Sequence, residues 1–251
     1  MKLWIGNDGQ EIAEQAADRI EALIRSKPDA VLGLATGHTP LATYRELIRR
    51  YREGRIDFSR VRTFNLDEYY GLEPEHPQSY HYYMYEHLFN HINIRKENIH
   101  IPSGTATDVE ACCREYEERI AACGGIDLQL LGIGLNGHIG FNEPAEELKP
   151  GTHLVKLSEE TITANSRFFA SLDEVPRYAV TMGMSTIMSA RQILLLAEGE
   201  GKAQIIRQLF DSGITTDIPA SFLRLHQNVT VLVDKLAGRY LINGCEGAGA
   251  R

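Results

Sequence analysis

The sequence predicts an α/β fold, a single-domain, Rossmann-like, three-layer α/β/α arrangement around a mostly parallel sheet of about seven strands. Short β-rich runs alternate with helical periodicity from residue 2 to about residue 241. No internal repeat, low-complexity tract or Pro/Gly/Ser linker divides the 251 residues. We therefore expect one domain over residues 1–251, with a flexible Gly/Ala-rich tail at 244–251.

The first two strand–helix units have the clearest pattern. Residues 2–5 read as a strand, and Asp8 is placed to cap a helix with an apolar side formed by Ile12, Ala16, Ile20, Leu23 and Ile24. Residues 30–35 are a near-continuous apolar run, as expected for a strand covered on both faces. A turn at residues 36–40 then leads into a second helix, which Gly54 is placed to end.

Five further runs complete the predicted sheet. They lie at residues 61–65, 126–133, 178–181, 192–197 and 229–234, with helices between most of them.

The amino-acid composition limits the classes of partner that the protein is expected to bind. The 26 Lys and Arg against 34 Asp and Glu give a net charge of -8, which argues against nucleic acid but leaves room for a small anion in a focused cleft. No apolar run approaches the roughly 20 residues of a membrane span, and the N-terminus has no signal-peptide core, so we expect a cytoplasmic protein. The four cysteines, Cys112, Cys113, Cys123 and Cys245, form no CxxC motif, so we expect no metal.

The turn after the second strand is the first candidate site. Thr36, Gly37, His38 and Thr39 precede Pro40 at the start of a helix. A Gly-bearing turn that leads into a helix N-terminus presents free backbone N–H groups to an anion, and phosphate is the ligand we expect there. The alternative is a plain strand-to-helix turn capped by Thr.

The third strand is followed by adjacent acids, Asp67 and Glu68. Neighbouring negative charge and partial burial both raise a carboxylate's proton affinity, so the pair is suited to act as a general base and its partner. The alternative is a helix cap or a solvated acidic turn.

A Gly-rich segment, GIGLNG at residues 132–137, formally matches GxGxxG. A dinucleotide-binding site needs a helix that starts at this segment. The residues that follow have no helical periodicity and reach Pro144 within seven residues. We therefore treat NAD binding as a minor alternative. The segment instead exposes Asn136, His138 and Glu143. Downstream, Arg167 and Lys202 are candidates for the positive charge that the phosphate turn lacks, although each alone reads as a surface cation.

Several segments together resemble a known family. They read ATGHTPLATYREL, FNLDEYYGL, EHPQSY, GLNGHIGFNEP, TANSRFF and GKA, in chain order. In order and spacing they resemble the glucosamine-6-phosphate deaminases of the glucosamine/galactosamine-6-phosphate isomerase family, over nearly the whole chain. FNLDEY together with GHIGFNEPA in one chain is highly specific.

The resemblance implies an enzyme that converts glucosamine 6-phosphate to fructose 6-phosphate and ammonia without metal, flavin or nicotinamide. It implies that Asp67 carries a proton between carbons 1 and 2, and that His138 opens the sugar ring with help from Asn136 and Glu143. The implied substrate ligands are Thr36, Gly37, His38, Thr39, Glu68, Arg167 and Lys202. Residues 158–170 are our candidate for a mobile cover.

Two departures from the family pattern matter. Many members have Asp where this chain has Asn136, and Gly where it has His38. Asn can orient His138 by a hydrogen bond but holds no negative charge, so we expect Glu143 alone to stabilise the imidazolium.

Some members of the family are activated by an N-acetylated sugar phosphate that binds between subunits. In this chain His153 and Val155 stand where the cationic residues that bind this activator are expected. We therefore predict no such activation.

Two rival functions stay open. A 6-phosphogluconolactonase-like hydrolase would share the fold, the phosphate loop and a GxGxDGH segment, but FNLDEYYGL and FNEPA favour the deaminase. A non-catalytic sugar-phosphate sensor would usually carry a DNA-binding module, for which a single α/β domain leaves no room. A homo-oligomer is compatible with the sequence, which does not give the oligomeric state.

Overall fold

The structure, a computed structural model, describes residues 1–242, so the predicted tail at 244–251 lies outside the described residues. A central sheet of seven parallel strands forms the middle layer. Numbered in chain order, its strands lie side by side as β1 (Lys2–Gly6), β10 (Val229–Asp234), β9 (Ile193–Ala197), β6 (Leu128–Leu131), β2 (Val31–Leu34), β3 (Arg62–Asn65) and β5 (Ile99–His100).

Eight α-helices are described. They are α1 (Gly9–Ser26), α2 (Pro40–Arg52), α3 (Tyr80–His87), α4 (Val109–Ala122), α5 (Glu159–Asn165), α6 (Met184–Met188), α7 (Ala203–Asp211) and α8 (Arg239–Ile242). Short 3-10 turns lie at Phe89–His91, Lys96–Asn98, Ser166–Phe168, Leu172–Glu174, Glu200–Lys202 and Pro219–Leu225.

Helices cover both faces of the central sheet, which confirms the predicted three layers. On one face, α1, α2 and α3 pack with buried side chains that include Ile20, Tyr44, Leu47 and Met84. On the other, α4, α6 and α7 pack with buried side chains that include Tyr116, Ile187, Ile206 and Leu209. Strands buried on both sides account for the near-continuous apolar runs in the sequence.

A second, three-stranded antiparallel sheet corrects one element of the prediction. It consists of β4 (Asp67–Tyr70), β8 (Tyr178–Thr181) and β7 (His153–Lys156), in that order. Residues 178–181 form a strand as predicted, but in this second sheet, while β5 takes the seventh place in the parallel sheet. The sequence pattern predicts a strand at residues 178–181 but not the strand with which it pairs, because pairing between strands far apart in the chain leaves no local signal.

The predicted helix signals are confirmed. The Asp8 carboxylate accepts hydrogen bonds from the N–H groups of Gln10 and Glu11, each at 3.0 Å, and so caps α1. Gly54 follows α2 with φ of 71°, and its N–H donates to the carbonyl of Tyr51 at 2.9 Å. This left-handed backbone favours glycine and ends the helix.

The chain order places a crevice between β2 and β6. From β2 the chain continues to β3 and β5 on one side, whereas from β6 it continues to β9 and β10 on the other. In open α/β sheets such a reversal separates the loops at the carboxyl ends of the two strands and forms the binding crevice. Among residues 1–242, no helix combines the length and apolar character needed to cross a membrane.

Candidate active site

The predicted site residues follow four adjacent strands of the central sheet. The loop with Thr36 follows β2, Asp67 follows β3, the segment with His138 follows β6, and the turn with Lys202 follows β9. Parallel strands end at the same edge, so the fold gathers these loops around the crevice between β2 and β6.

The loop at residues 36–39, the phosphate loop of the sequence prediction, has a backbone that only glycine adopts without strain. Gly37 has φ of 101°, and no atom lies near the position of a Cβ there. The Tyr83 hydroxyl donates to the Gly37 carbonyl at 2.5 Å and so fixes the loop to α3. Thr39 makes no side-chain capping bond to α2, so the interpretation of this loop as a Thr-capped turn is wrong.

His38 points from this loop toward the end of β9. Its Nε2 lies 3.7 Å from Oε1 of Glu198, four residues before Lys202. The Lys202 ammonium donates to the Ile133 carbonyl at 2.6 Å, and burial lowers its pKa. Lys202 thereby lies against the start of the segment that carries His138.

Arg167 lies in the 3-10 turn Ser166–Phe168, after α5. The residues on either side of this turn, Asn165 and Phe169, line a cavity of about 370 Å³ together with Gly37 and His38. The residues that flank this turn and the phosphate loop therefore line the same cavity.

Asp67 is the first residue of β4 and is only 6 % exposed. Its carboxylate accepts no hydrogen bond from the described residues. Burial, with the neighbouring charge of Glu68, raises the pKa of Asp67 to about 8. A carboxyl group with that pKa is divided between its protonated and ionised forms near neutral pH, as a group that both takes and returns a proton requires.

Glu68 has different surroundings although it is also buried. Its carboxylate accepts hydrogen bonds from the backbone N–H groups of Tyr69, Tyr80 and His81, each at 2.8 Å. Burial raises the pKa of Glu68 to about 7, and these three donors act against the rise. The bonds hold the start of α3 against β4, which indicates a positioning role; direct contact between Glu68 and substrate stays a prediction.

Asn136 links His138 to Glu143. The backbone N–H of His138 donates to Oδ1 of Asn136 at 3.2 Å, which fixes the orientation of the amide. The same Oδ1 lies 2.7 Å from Nδ1 of His138, and Nδ2 of Asn136 donates to Oε2 of Glu143 at 2.7 Å. Since Oδ1 only accepts, Nδ1 must carry the proton, and Nε2 of His138 is left as the basic nitrogen.

Glu143 is held in its ionised form. Burial acts to raise its pKa, but hydrogen bonds and charge from His138, with hydrogen bonds from Thr161 and Asn136, outweigh it and lower the pKa to about 2. Oε2 of Glu143 lies 3.3 Å from Nδ1 of His138. The carboxylate can therefore stabilise an imidazolium directly, although the residue between them is an uncharged amide.

The sequence did not predict two hydrogen-bond partners of Glu143. The Thr161 hydroxyl donates to Oε1 of Glu143 at 2.5 Å, and the Ser158 hydroxyl lies at 3.4 Å. Ser158 also caps α5, and that capping position was the only signal in the sequence. The segment predicted to be a cover is thus bonded to Glu143.

Gly134 explains the Gly-rich pattern before His138. A Cβ at this position would collide with the imidazole of His138, which lies over the glycine. The N–H of Gly134 also donates to the His138 carbonyl at 2.9 Å. Residues 132–152 contain no helix, so the condition for a GxGxxG dinucleotide site is not met.

Thr181 connects the Asp67 strand to the His138 segment. It is the register partner of Asp67 in the second sheet, and its hydroxyl accepts the N–H of Phe141 at 3.1 Å. Gly140 lies against Thr181 and Leu66, where a Cβ would collide with the threonine hydroxyl. Among residues 1–242, no group of three or more His, Cys, Asp or Glu side chains is arranged to hold a metal ion.

The raised pKa of Asp67 gives a pH-dependent stability. A carboxyl group whose pKa is about 8 in the folded state and near 3.8 in the unfolded state binds its proton more tightly in the folded state, so stability falls as the pH rises between these values. We expect the stability of Asp67→Asn relative to wild type to increase from pH 5 to pH 8, by at most about 1.4 kcal/mol per pH unit. Urea unfolding at each pH measures it.

Asp173→Asn is the matched control, because the Asp173 side chain is 98 % exposed. Its stability difference from wild type should stay nearly constant over the same range. A constant difference for Asp67→Asn as well would show that Asp67 has an ordinary pKa.

Comparison with known proteins gives the family of the chain. Residues 8–232 match the model of the glucosamine-6-phosphate isomerase/6-phosphogluconolactonase family. A glucosamine-6-phosphate deaminase of Thermoanaerobacter sp. (strain X514) is 56 % identical over 237 residues, 94 % of each chain. A glucosamine-6-phosphate deaminase of Clostridium perfringens (strain 13 / Type A) is 52 % identical over 241 residues, 96 % of this chain and all of the relative.

Solved structures give the same result. A monomeric glucosamine-6-phosphate deaminase of the NagB superfamily superposes with a TM-score of 0.93 at 48 % identity, over 95 % of this chain and 99 % of that one. The 6-phosphogluconolactonase of Trypanosoma brucei shares the fold, with a TM-score of 0.75 at 21 % identity over 96 % of this chain and 98 % of that one. The chain therefore belongs to the glucosamine-6-phosphate isomerase/6-phosphogluconolactonase family.

Proposed function

We propose that the protein is a glucosamine-6-phosphate deaminase, which converts glucosamine 6-phosphate and water to fructose 6-phosphate and ammonia. The observation that carries the proposal is a buried carboxyl group, Asp67, with a pKa of about 8. Its strand pairs with β8, and Thr181 of β8 is bonded to the segment that carries an oriented histidine, His138. The reaction needs a group that opens a sugar ring and a second group that moves a proton between two carbons. These two residues fit those tasks.

Ring opening is assigned to His138. With Nδ1 held by Asn136, the free Nε2 moves a proton between the ring oxygen and the hydroxyl on carbon 1. The imidazolium that forms lies 3.3 Å from the Glu143 carboxylate, which stabilises its charge. The product is an open-chain aldehyde, in which the hydrogen on carbon 2 becomes acidic.

Isomerisation is assigned to Asp67. Its carboxylate takes the proton from carbon 2 and returns it to carbon 1. The aldehyde oxygen gains a proton and the amino group loses one, which leaves a hydroxyl at carbon 1 and an imine at carbon 2. Water adds to that imine, and ammonia leaves. These steps are proton transfers and an addition, so this chain's own acids and bases can carry them.

The phosphate group is assigned to the loop of Thr36, Gly37, His38 and Thr39, together with Arg167 and Lys202. Two cations and the N-terminus of α2 match a phosphate dianion. Binding this distant group would align carbons 1 and 2 with Asp67 and so contribute to the rate as well as to affinity.

The sequence identity between this chain and its relatives supports a deaminase rather than a lactonase. The deaminases are 48–56 % identical, whereas the Trypanosoma brucei lactonase is 21 % identical and shows the fold alone. Hydrolysis of a lactone also leaves the hydrogen on carbon 2 in place, so it would give Asp67 no task as a proton carrier. We place the reaction in the cytoplasmic breakdown of amino sugars, without a nucleic-acid or membrane partner.

The direct test is incubation of the purified protein with glucosamine 6-phosphate. We expect ammonia and fructose 6-phosphate in equal amounts, measured by coupled assay. A protein that hydrolyses 6-phosphogluconolactone and leaves glucosamine 6-phosphate unchanged would refute the proposal.

The phosphate assignment predicts the effect of removing each cation. Arg167→Ala and Lys202→Ala should each weaken substrate binding by about 1.5–3 kcal/mol, the range for a charge-assisted hydrogen bond. The midpoint of thermal unfolding should change little, because Arg167 is exposed and Lys202 is only partly buried.

The control variant is Arg191→Ala. It removes a cation that pairs with Asp127 at the opposite edge of the sheet. Wild-type KM in both test variants would show that the phosphate binds elsewhere.

The kinetics should be hyperbolic without an activator. His153 contacts the Gly151 carbonyl through Nδ1 at 2.9 Å, and burial lowers its pKa, while Val155 carries no charge. Neither position supplies the fixed cation that an anionic effector needs. Initial rates against substrate concentration measure this, and a sigmoidal curve made hyperbolic by N-acetylglucosamine 6-phosphate would contradict it.

A further inference from the structure

The loop at residues 36–39 has four consecutive backbone N–H groups that donate to no acceptor among the described residues. Free N–H groups in a turn before a helix attract an anion. The carbonyl oxygens of the same stretch of chain act against this attraction, because each carries a partial negative charge that repels a phosphate. A loop that binds phosphate must therefore direct its carbonyl groups elsewhere.

Two tyrosine hydroxyls bind the carbonyl groups on either side of Thr36. The Tyr83 hydroxyl on α3 donates to the Gly37 carbonyl at 2.5 Å. The Tyr44 hydroxyl on α2 donates to the Ala35 carbonyl, and Tyr44 is fully buried. Burial raises the pKa of both tyrosines, so each hydroxyl keeps its proton and remains a donor.

The direction of each carbonyl fixes the direction of the next N–H group. In a planar trans peptide the C=O bond and the following N–H bond point in opposite directions, and the described residues contain no cis peptide bond. Because the Gly37 carbonyl is bonded to Tyr83, the N–H of His38 points away from Tyr83. Because the Ala35 carbonyl is bonded to Tyr44, the N–H of Thr36 points away from Tyr44.

The side of the loop away from Tyr83 is the side of the crevice. The start of α3 is bonded to the Glu68 carboxylate on β4, and β4 follows β3, which lies on one side of β2. The loops after β6 and β9 lie on the other side of β2. His38 reaches that side, since its Nε2 lies 3.7 Å from Oε1 of Glu198, the residue after β9.

We propose that Tyr83 and Tyr44 are positioning residues for the phosphate group of the substrate, an assignment that rests on the proposed function. They hold the carbonyl groups of Gly37 and Ala35 away from the phosphate, so that the N–H groups of His38 and Thr36 face it. Neither hydroxyl has to touch the substrate. The backbone of Gly37, with φ of 101°, has the conformational freedom of glycine, so the bond from Tyr83 selects one orientation of the peptide that follows.

The helix α3 also connects the phosphate loop to the pair of acids. Its first turn is bonded to Glu68, the neighbour of Asp67. One turn later Tyr83 is bonded to Gly37. A single helix therefore sets the position of the phosphate loop relative to the strand that carries Asp67.

The test removes the Tyr83 hydroxyl and keeps its ring. In Tyr83→Phe we expect the KM for glucosamine 6-phosphate and the inhibition constant of inorganic phosphate, measured by competition, to rise together by about fivefold, the loss for one hydrogen bond between uncharged groups. The value of kcat should change less, because the hydroxyl does not contact the reacting carbons. Tyr44→Phe should shift both constants in the same direction and also lower thermal stability, because its hydroxyl is buried.

Tyr85→Phe is the matched control. Tyr85 lies two residues after Tyr83 on α3, and its hydroxyl bonds to none of the described residues. Removing this hydroxyl should leave KM, kcat and the inhibition constant of phosphate unchanged.

Backbone amide NMR with inorganic phosphate gives a readout that does not depend on turnover. In wild type the N–H signals of Thr36 and His38 should shift as phosphate is added, and in Tyr83→Phe the shift of His38 should need about fivefold more phosphate. A His38 signal that phosphate does not move in wild type, or equal phosphate affinity in wild type and Tyr83→Phe, would overturn the inference. A wild-type protein that binds phosphate at this loop but does not turn over glucosamine 6-phosphate would overturn the proposed function instead, and the inference would stand.

Discussion

The site depends on one constraint, the burial of the Asp67 carboxyl group without a hydrogen-bond donor from residues 1–242. Ionising this group is costly, so its pKa rises to about 8, and the surrounding structure must hold the strand that carries it. Three backbone N–H groups stabilise Glu68 instead, and Thr181 fastens β4 to the segment that carries His138. The two adjacent acids thus have different surroundings: Glu68 accepts three backbone hydrogen bonds, whereas Asp67 accepts none from the described residues.

The second feature is the hydrogen-bonded chain that runs from His138 through the Asn136 amide to the Glu143 carboxylate. Asn136 accepts from His138 and donates to Glu143, so a neutral amide fixes both the tautomer of the histidine and the position of the acid. Glu143 keeps its charge because several donors surround it, including Thr161 from α5. A movement of residues 158–170, the segment predicted to be a cover, would remove that donor from Glu143.

Local chemistry explains what the sequence could predict. The cap by Asp8, the end of α2 at Gly54 and the loops after β2 and β6 depend on residues close together in the chain, and the structure has them as predicted. The second sheet was missed because β4 begins with two acids and pairs with a strand about 110 residues later, which no local pattern encodes. The contact of Thr161 with Glu143 spans 18 residues, and its hydroxyl resembles any other on a helix.

The most direct test of the account follows the hydrogen on carbon 2 of the substrate. With glucosamine 6-phosphate deuterated at carbon 2, we expect the wild-type protein to deliver part of the deuterium to carbon 1 of fructose 6-phosphate and the rest to water. Asp67→Asn should bind substrate but leave the deuterium on carbon 2, with turnover lower by at least about 100-fold. An Asn variant that releases the deuterium at a rate near that of wild type would show that another group carries the proton.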